Sequence, residues 1–206
     1  AAQLDSTTIA GFRWRNIGIA NHQGRVVDVA GIPWPSRTYY VSSAGGGLFK
    51  TTNAGTTFRA VLENEHVSSG GMIGIAPSDT NTVYYGTGEP NSRNSMSPGA
   101  GMFKTSNGGR TWEFIGLKET QHIGRVVVDP SNKDIVYVAA LGAAWATNKE
   151  RGLYKTVDGG KTWQLKKFIN DSTGFVDVAL DPRDSKVVWA ASYQRLRGPY
   201  FQYSGG

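Results

Sequence analysis

Cysteine is absent from the 206 residues, so disulfides and thiolate metal sites are excluded. No apolar run approaches the ~20 residues that a membrane-spanning helix needs, and the chain is expected to have no transmembrane segment of its own. Charge is scarce at 18%, while glycine is abundant at 27 residues and aromatics reach 11%. That balance suits an all-β protein with many turns better than a helical one. The net charge is +6, yet the lysines and arginines are spread along the chain. A nucleic-acid surface would gather them into a stripe with interleaved aromatics, so no nucleic acid is expected as a partner. The first residues, Ala1-Ala2-Gln3-Leu4-Asp5, lack the charged and apolar regions of a signal peptide and read as a mature terminus left after export.

What the chain does have is one turn written three times. Thr51-Thr52-Asn53-Ala54-Gly55-Thr56-Thr57-Phe58 is followed by Thr105-Ser106-Asn107-Gly108-Gly109-Arg110-Thr111-Trp112 and by Thr156-Val157-Asp158-Gly159-Gly160-Lys161-Thr162-Trp163. Asn53, Asn107 and Asp158 can accept hydrogen bonds from the amides of their own turns. Gly55, Gly109 and Gly160 can take the positive φ of a tight turn, and Phe58, Trp112 and Trp163 open the strand that follows. Each turn is preceded by a strand of the type Leu48-Phe49-Lys50, Met102-Phe103-Lys104 or Leu153-Tyr154-Lys155. Hairpins recurring every fifty residues or so predict a β-propeller of four-stranded antiparallel blades.

Blades are expected at about 19–65, 66–119, 120–170 and 171–206, after an extension over 1–11. The fourth stops part-way. Phe12-Arg13-Trp14-Arg15-Asn16-Ile17-Gly18 resembles the outer strand Trp112 to Gly116 without a hairpin of its own, which predicts a closing strand for a blade that is absent. A proline turn joins the first two strands of each blade. From it to the Asx residue is 18 residues in blade one (Pro35 to Asn53), 30 in blade two and 28 in blade three. The surplus lies at Glu89–Ala100 and Gly142–Arg151, and in blade four the same slot begins at Ser192. Insertions in one topological slot fall on one face of a propeller, which is often its binding face. Lys50, Lys104 and Lys155, at one blade position, read as a solvated strand face. Arg25 and Arg125 read as repeat-equivalent.

The turns resemble the Asp-box, or BNR, repeat of sialidases, xyloglucanases and Vps10/sortilin propellers. With Gly24-Arg25-Val26, Gly86-Thr87-Gly88-Glu89-Pro90-Asn91 and Asp129-Pro130-Ser131-Asn132, the chain is similar to large exported bacterial proteins labelled glycosyl hydrolase, BNR repeat. The resemblance implies a periplasmic or extracellular location. It does not carry an activity over. A sialidase would have Phe-Arg-Ile-Pro where this chain has Phe12-Arg13-Trp14-Arg15. A xyloglucanase-like enzyme would have a catalytic Asp before a Gly-Gly third strand, where this chain has Ser43-Ala44-Gly45-Gly46. No catalytic residue is therefore assigned. Asp28, Glu89 and Asp177 are expected to hydrogen-bond neighbouring blades and turns. His22, His66 and His122 fall in successive outer-to-inner connections that fan apart, so neither metal nor cofactor is assigned.

The insertions carry Arg93, Trp145, Arg151, Arg195, Arg197, Tyr200 and Phe201, the residue types enriched at interfaces. The expectation is a non-catalytic protein-binding or scaffold module of the cell envelope, an accessory part of a larger membrane-associated assembly. The alternative is a carbohydrate-active propeller, hydrolytic or sugar-binding, whose loop aromatics stack on sugars.

Overall fold

The computed structural model describes residues 24–93 and 95–198. The Phe12–Gly18 strand, His22, Tyr200 and Phe201 lie outside them. Among the described residues there is no α-helix, only two 3-10 turns at Glu63–Glu65 and Lys118–Thr120. Among the described residues no helix is long and apolar enough to cross a membrane. The strands form four antiparallel sheets in chain order. Blade one holds β1 (Val26–Gly31), β2 (Tyr39–Ser43), β3 (Gly47–Thr51) and β4 (Arg59–Ala60); blade two holds β5 (Ile73–Ile75), β6 (Val83–Gly86), β7 (Met102–Thr105) and β8 (Glu113–Phe114). Blade three holds β9 (Ile123–Val128), β10 (Val136–Ala140), β11 (Gly152–Thr156) and β12 (Gln164–Lys167). The fourth sheet has two described strands, β13 (Thr173–Leu180) and β14 (Val188–Gln194). β1, β5, β9 and β13 neighbour one another in that order, as the inner strands of a β-propeller do.

The core lies between blades, not within them. Tyr40, Leu48, Val61 and Leu62 of blade one close on Ile73, Val83, Tyr85 and Phe103 of blade two. Tyr84, Met102 and Ile115 close in turn on Val126, Val136, Val138 and Tyr154. Because blades stack on both sides, a blade strand has no wholly solvated face. This overturns the expectation for the lysine row. Lys50 Nζ sits 5.3 Å from the Tyr40 ring centroid and donates to the Gly108 carbonyl of blade two at 2.7 Å. Lys104 repeats the arrangement over Tyr84, at 5.3 Å, and donates to Gly159 of blade three at 3.0 Å. Lys50 and Lys104 thus latch blades one and two to the turn of the next blade, and Lys155 Nζ lies 4.8 Å from the Tyr137 ring centroid.

The repeated turn is a side-chain cage. Thr51 Oγ1 donates to Asn53 Oδ1 at 2.9 Å and receives the Gly55 amide at 3.0 Å, while Asn53 Oδ1 also takes the Thr57 amide at 2.9 Å. The Thr105/Asn107/Gly109/Thr111 and Thr156/Asp158/Gly160/Thr162 sets repeat it. Hydrogen bonds from Thr162 and Thr156 hold the Asp158 carboxyl well below the usual carboxylate range. Trp163 Nε1 then pins the turn to the preceding blade through the Ile115 carbonyl at 2.6 Å.

Two residues of each turn have positive φ, and one of them is not glycine. Ala54 holds φ 56° where Gly108 and Gly159 hold 68° and 75°. A left-handed non-glycine residue costs roughly 1–2 kcal/mol, partly offset by glycine's larger loss of freedom on folding. Ala54→Gly is therefore expected to stabilise the chain by about 0.5–1 kcal/mol in urea melts. A destabilised variant would mean that Ala54 is unstrained.

Candidate functional site

The insertions of blades two, three and four meet over one end of the inner strands. Arg195 of blade four donates through Nη1 to the Pro90 carbonyl of blade two, and its Nη2 lies 3.3 Å from Met96 Sδ. Arg197 donates its backbone N–H to the Ala144 carbonyl at 2.7 Å and lays its guanidinium over the Trp145 ring, 4.8 Å from the centroid. Arg151, 0% exposed, reaches five carbonyls: Leu141, Ala143 and Ala146 of its own loop, and Ser172 and Arg195 of blade four.

These contacts correct the expectation of exposed arginine anchors. Arg151, Arg195 and Arg197 are all buried within the chain, where they hold the loops to one another. A backbone carbonyl in a loop has no strand partner, and a guanidinium supplies five donors in a fixed fork. Arg93 and Trp145 do stay on the surface, Trp145 at 53% exposure.

Beneath the loops runs a polar chain. Arg25 grips Glu89 through Nε and Nη2, at 2.5–3.0 Å, and the Glu89 side chain is buried. Both Glu89 oxygens face that guanidinium, so Glu89 is a clamp and not a free acid. The Glu89 carbonyl lies 3.0 Å from His122 Nδ1. A carbonyl can only accept, so Nδ1 carries the proton of a neutral imidazole. Burial pushes the His122 pKa down to about 4, with Arg195 and Arg151 acting the same way against the pull of the Glu89 carbonyl. His66 is exposed, in a left-handed conformation at the end of Glu63–Glu65. No three metal-ligating side chains converge among the described residues.

The inner strands hold a second feature. The inner strands bulge at one shared place, Val26/Asp28, Ile123/Arg125 and Phe175/Asp177, and their pairing puts Arg125 level with Asp28 and Asp177 and not with Arg25. The expected equivalence of Arg25 and Arg125 thus fails by three residues: Arg25 is level with His122, and the carbonyls of both accept the amide just beyond the paired second strand, Ala44 and Leu141. Asp28 accepts the Val29 amide at 2.9 Å and the Ile73 amide of blade two at 2.8 Å. Asp177 accepts Arg125 Nε at 2.8 Å and the Val178 amide at 2.9 Å. These acids are inter-blade fasteners, as the sequence suggested.

The open place on this face is in blade one. Only Ala44, Gly45 and Gly46 join β2 to β3, where blades two and three insert loops. The result is a cavity of about 240 Å³ lined by Gly45, Gly46, Gly47 and Leu62 and rimmed by Glu63 and His66. In the sequence, Gly45 and Gly46 mark only the place of a missing acid. The signal for the cavity was the shortness of the Pro35-to-Asn53 interval.

With this geometry in place, the likenesses to known proteins are informative. No family model matches the chain. It is 27% identical over 191 residues to a xyloglucanase of Hypocrea jecorina, covering 85% of this chain and 21% of that protein. It is similar in structure to an ancestral GH74 enzyme, with TM-score 0.62, 25% identity, and coverage of 82% of this chain and 22% of the other. YCF48, solved bound to D1 peptide, superposes with TM-score 0.51 at 15% identity over 77% of this chain and 45% of the other, a likeness of fold alone. The chain spans about a fifth of the length of the curated relatives it matches.

Proposed function

We propose that the chain is part of a carbohydrate-active propeller and that this part binds a polysaccharide without cleaving it. The observation that carries the reading is the blade-one cavity. Its lining includes three consecutive glycines, Gly45, Gly46 and Gly47, of which Gly45 is exposed, so a flat sugar ring can approach the backbone there. It opens on the face that also carries the exposed Trp145 indole, a platform for sugar stacking. Similarity to xyloglucanases over most of this chain supports a glucan ligand. Ala44 stands where the xyloglucanase-like pattern has its acid, which supports binding over hydrolysis by these residues. The envelope-scaffold reading is weaker, because Arg195 and Arg197 are occupied inside the chain. Export belongs to this proposal, since such a polysaccharide lies outside the cell.

Calorimetric titration with xyloglucan oligosaccharides is expected to give saturable heat and no released sugar. Gly45→Leu, which fills the slot at an exposed residue, and Trp145→Ala should each weaken binding by roughly tenfold with an unchanged melting temperature. Equal affinity in both variants, or no heat with the unmodified chain, would remove the reading.

A further inference from the structure

A groove between the outer strand of one blade and the turn of the next occurs twice, and its charges balance in only one copy. Between blades two and three it is lined by Lys104, Glu113, Phe114 and Lys161. Glu113 pairs with Lys104 across β7 and β8, and Asp134 Oδ1 lies 3.6 Å from Lys104 Nζ. Two cations there meet two carboxylates.

Between blades one and two the same positions carry other charges. Arg59 pairs with Lys50 where Glu113 pairs with Lys104, and Arg110 stands where the next turn has Lys161. Asn81 takes the place of Asp134, since their carbonyls receive Gly108 and Gly159 alike at 2.9 Å. Arg59 and Arg110 are exposed and line a groove of about 210 Å³ whose one carboxylate is Glu63. No ion pair among the described residues includes Lys50, Arg59 or Arg110. Burial lowers the Lys50 pKa, and the charges of Arg59 and Arg110 lower it further. The three cations therefore repel one another.

A second observation sets this interface apart. Tyr84 Oη donates to the Lys133 carbonyl at 2.8 Å. Tyr40 Oη, buried at the equivalent place, has no hydrogen-bond partner among the described residues. It lies 4.0 Å from where a Cβ on Gly108 would stand, and Lys50 Nζ lies 3.3 Å from the same point.

We propose that the groove between blades one and two binds a phosphate or sulfate group. Arg59 and Arg110 grip its oxygens, because the planar guanidinium fork matches such groups in pairs of hydrogen bonds. Lys50 gives one N–H to Gly108 and keeps two for the ligand. A doubly charged oxyanion suits three cations opposed by one carboxylate. The groove shares Ala60 and Glu63 with the glycine-lined cavity, so an ester on a polysaccharide is one source of the group and the free ion is the other. The oxyanion site stands whether or not the cavity takes sugar.

Calorimetric titration of the 206-residue chain with inorganic phosphate, with chloride holding the ionic strength constant, is expected to give saturable binding. Amide NMR shifts should gather at Arg59, Ala60, Gly109 and Arg110. Arg59→Glu, which copies the residue of the next interface, should weaken binding by about tenfold or more without lowering the melting temperature. Lys161→Glu changes the net charge equally and should leave the affinity as it is. Tighter binding of dextran sulfate than of inorganic phosphate, with the same dependence on Arg59, would assign the group to a polymer, and the reverse order to the free ion. Non-saturating heat with both probes, equal losses in Arg59→Glu and Lys161→Glu, or unchanged affinity in Arg59→Glu would overturn the proposal.

Discussion

Arg151→Met is expected to lower the stability of the chain by about 3–5 kcal/mol, the largest single effect among the loop residues. The guanidinium is 0% exposed and holds the carbonyls of Leu141, Ala143, Ala146, Ser172 and Arg195. A methionine fills much of the volume but donates nothing, so several carbonyls are left buried and unpaired. Burial pulls the guanidinium pKa down, with Asp171 opposing. Arginine nevertheless stays charged at ordinary pH, which is why it serves here and lysine serves poorly. Arg151→Lys should recover only part of the loss, because three donors on one nitrogen cannot span five carbonyls. The measurement is the urea midpoint, read with the slope to exclude a changed unfolded state. A shift of under about 1 kcal/mol for Arg151→Met would mean that water replaces the guanidinium and that the loops do not depend on it.

The same residue marks how far sequence reasoning reached. The three turns were legible because their chemistry is local: hydroxyl, Asx, glycine and threonine bond to one another within eight residues. Strand identity and the single insertion face followed from the spacing of those turns. Arg195 was not legible, because its partners Pro90 and Met96 lie about a hundred residues away, and composition alone cannot separate an arginine that seals loops from one that meets a partner. The lysine row was misread for a different reason. Period-two alternation assumes one wet face, and stacked blades remove it. Arg125 was misplaced because the shared Gly-Arg-Val triplet aligns Arg25 with it, whereas strand pairing puts Arg125 level with Asp28, three residues further on. The blade-one cavity was hidden because Gly45 and Gly46 speak in the sequence only of the acid missing before them.

Acid should destabilise the chain well before its carboxylates titrate. The His122 pKa falls from 6.5 to about 4 on folding, chiefly by burial, with Arg195 and Arg151 adding to the effect. Between these values the unfolded chain binds a proton that the folded chain refuses, so stability rises with pH through the window. The contribution is full above pH ~6.5, declines as pH falls towards about 4, and is constant below that. Over the whole window it amounts to roughly 3 kcal/mol. Asp79, Asp129 and Asp158 have depressed pKa values, so their losses begin only below about pH 4 and are separable from that of histidine. His122→Asn keeps an N–H near the Glu89 carbonyl but cannot titrate. Urea midpoints measured from pH 7.5 to 4.5 should therefore slope steeply for the parent chain and stay nearly flat for His122→Asn. Parallel slopes for the two would show that His122 reaches solvent and can be protonated in place, and that the arginine-capped loops are not a closed lid over it.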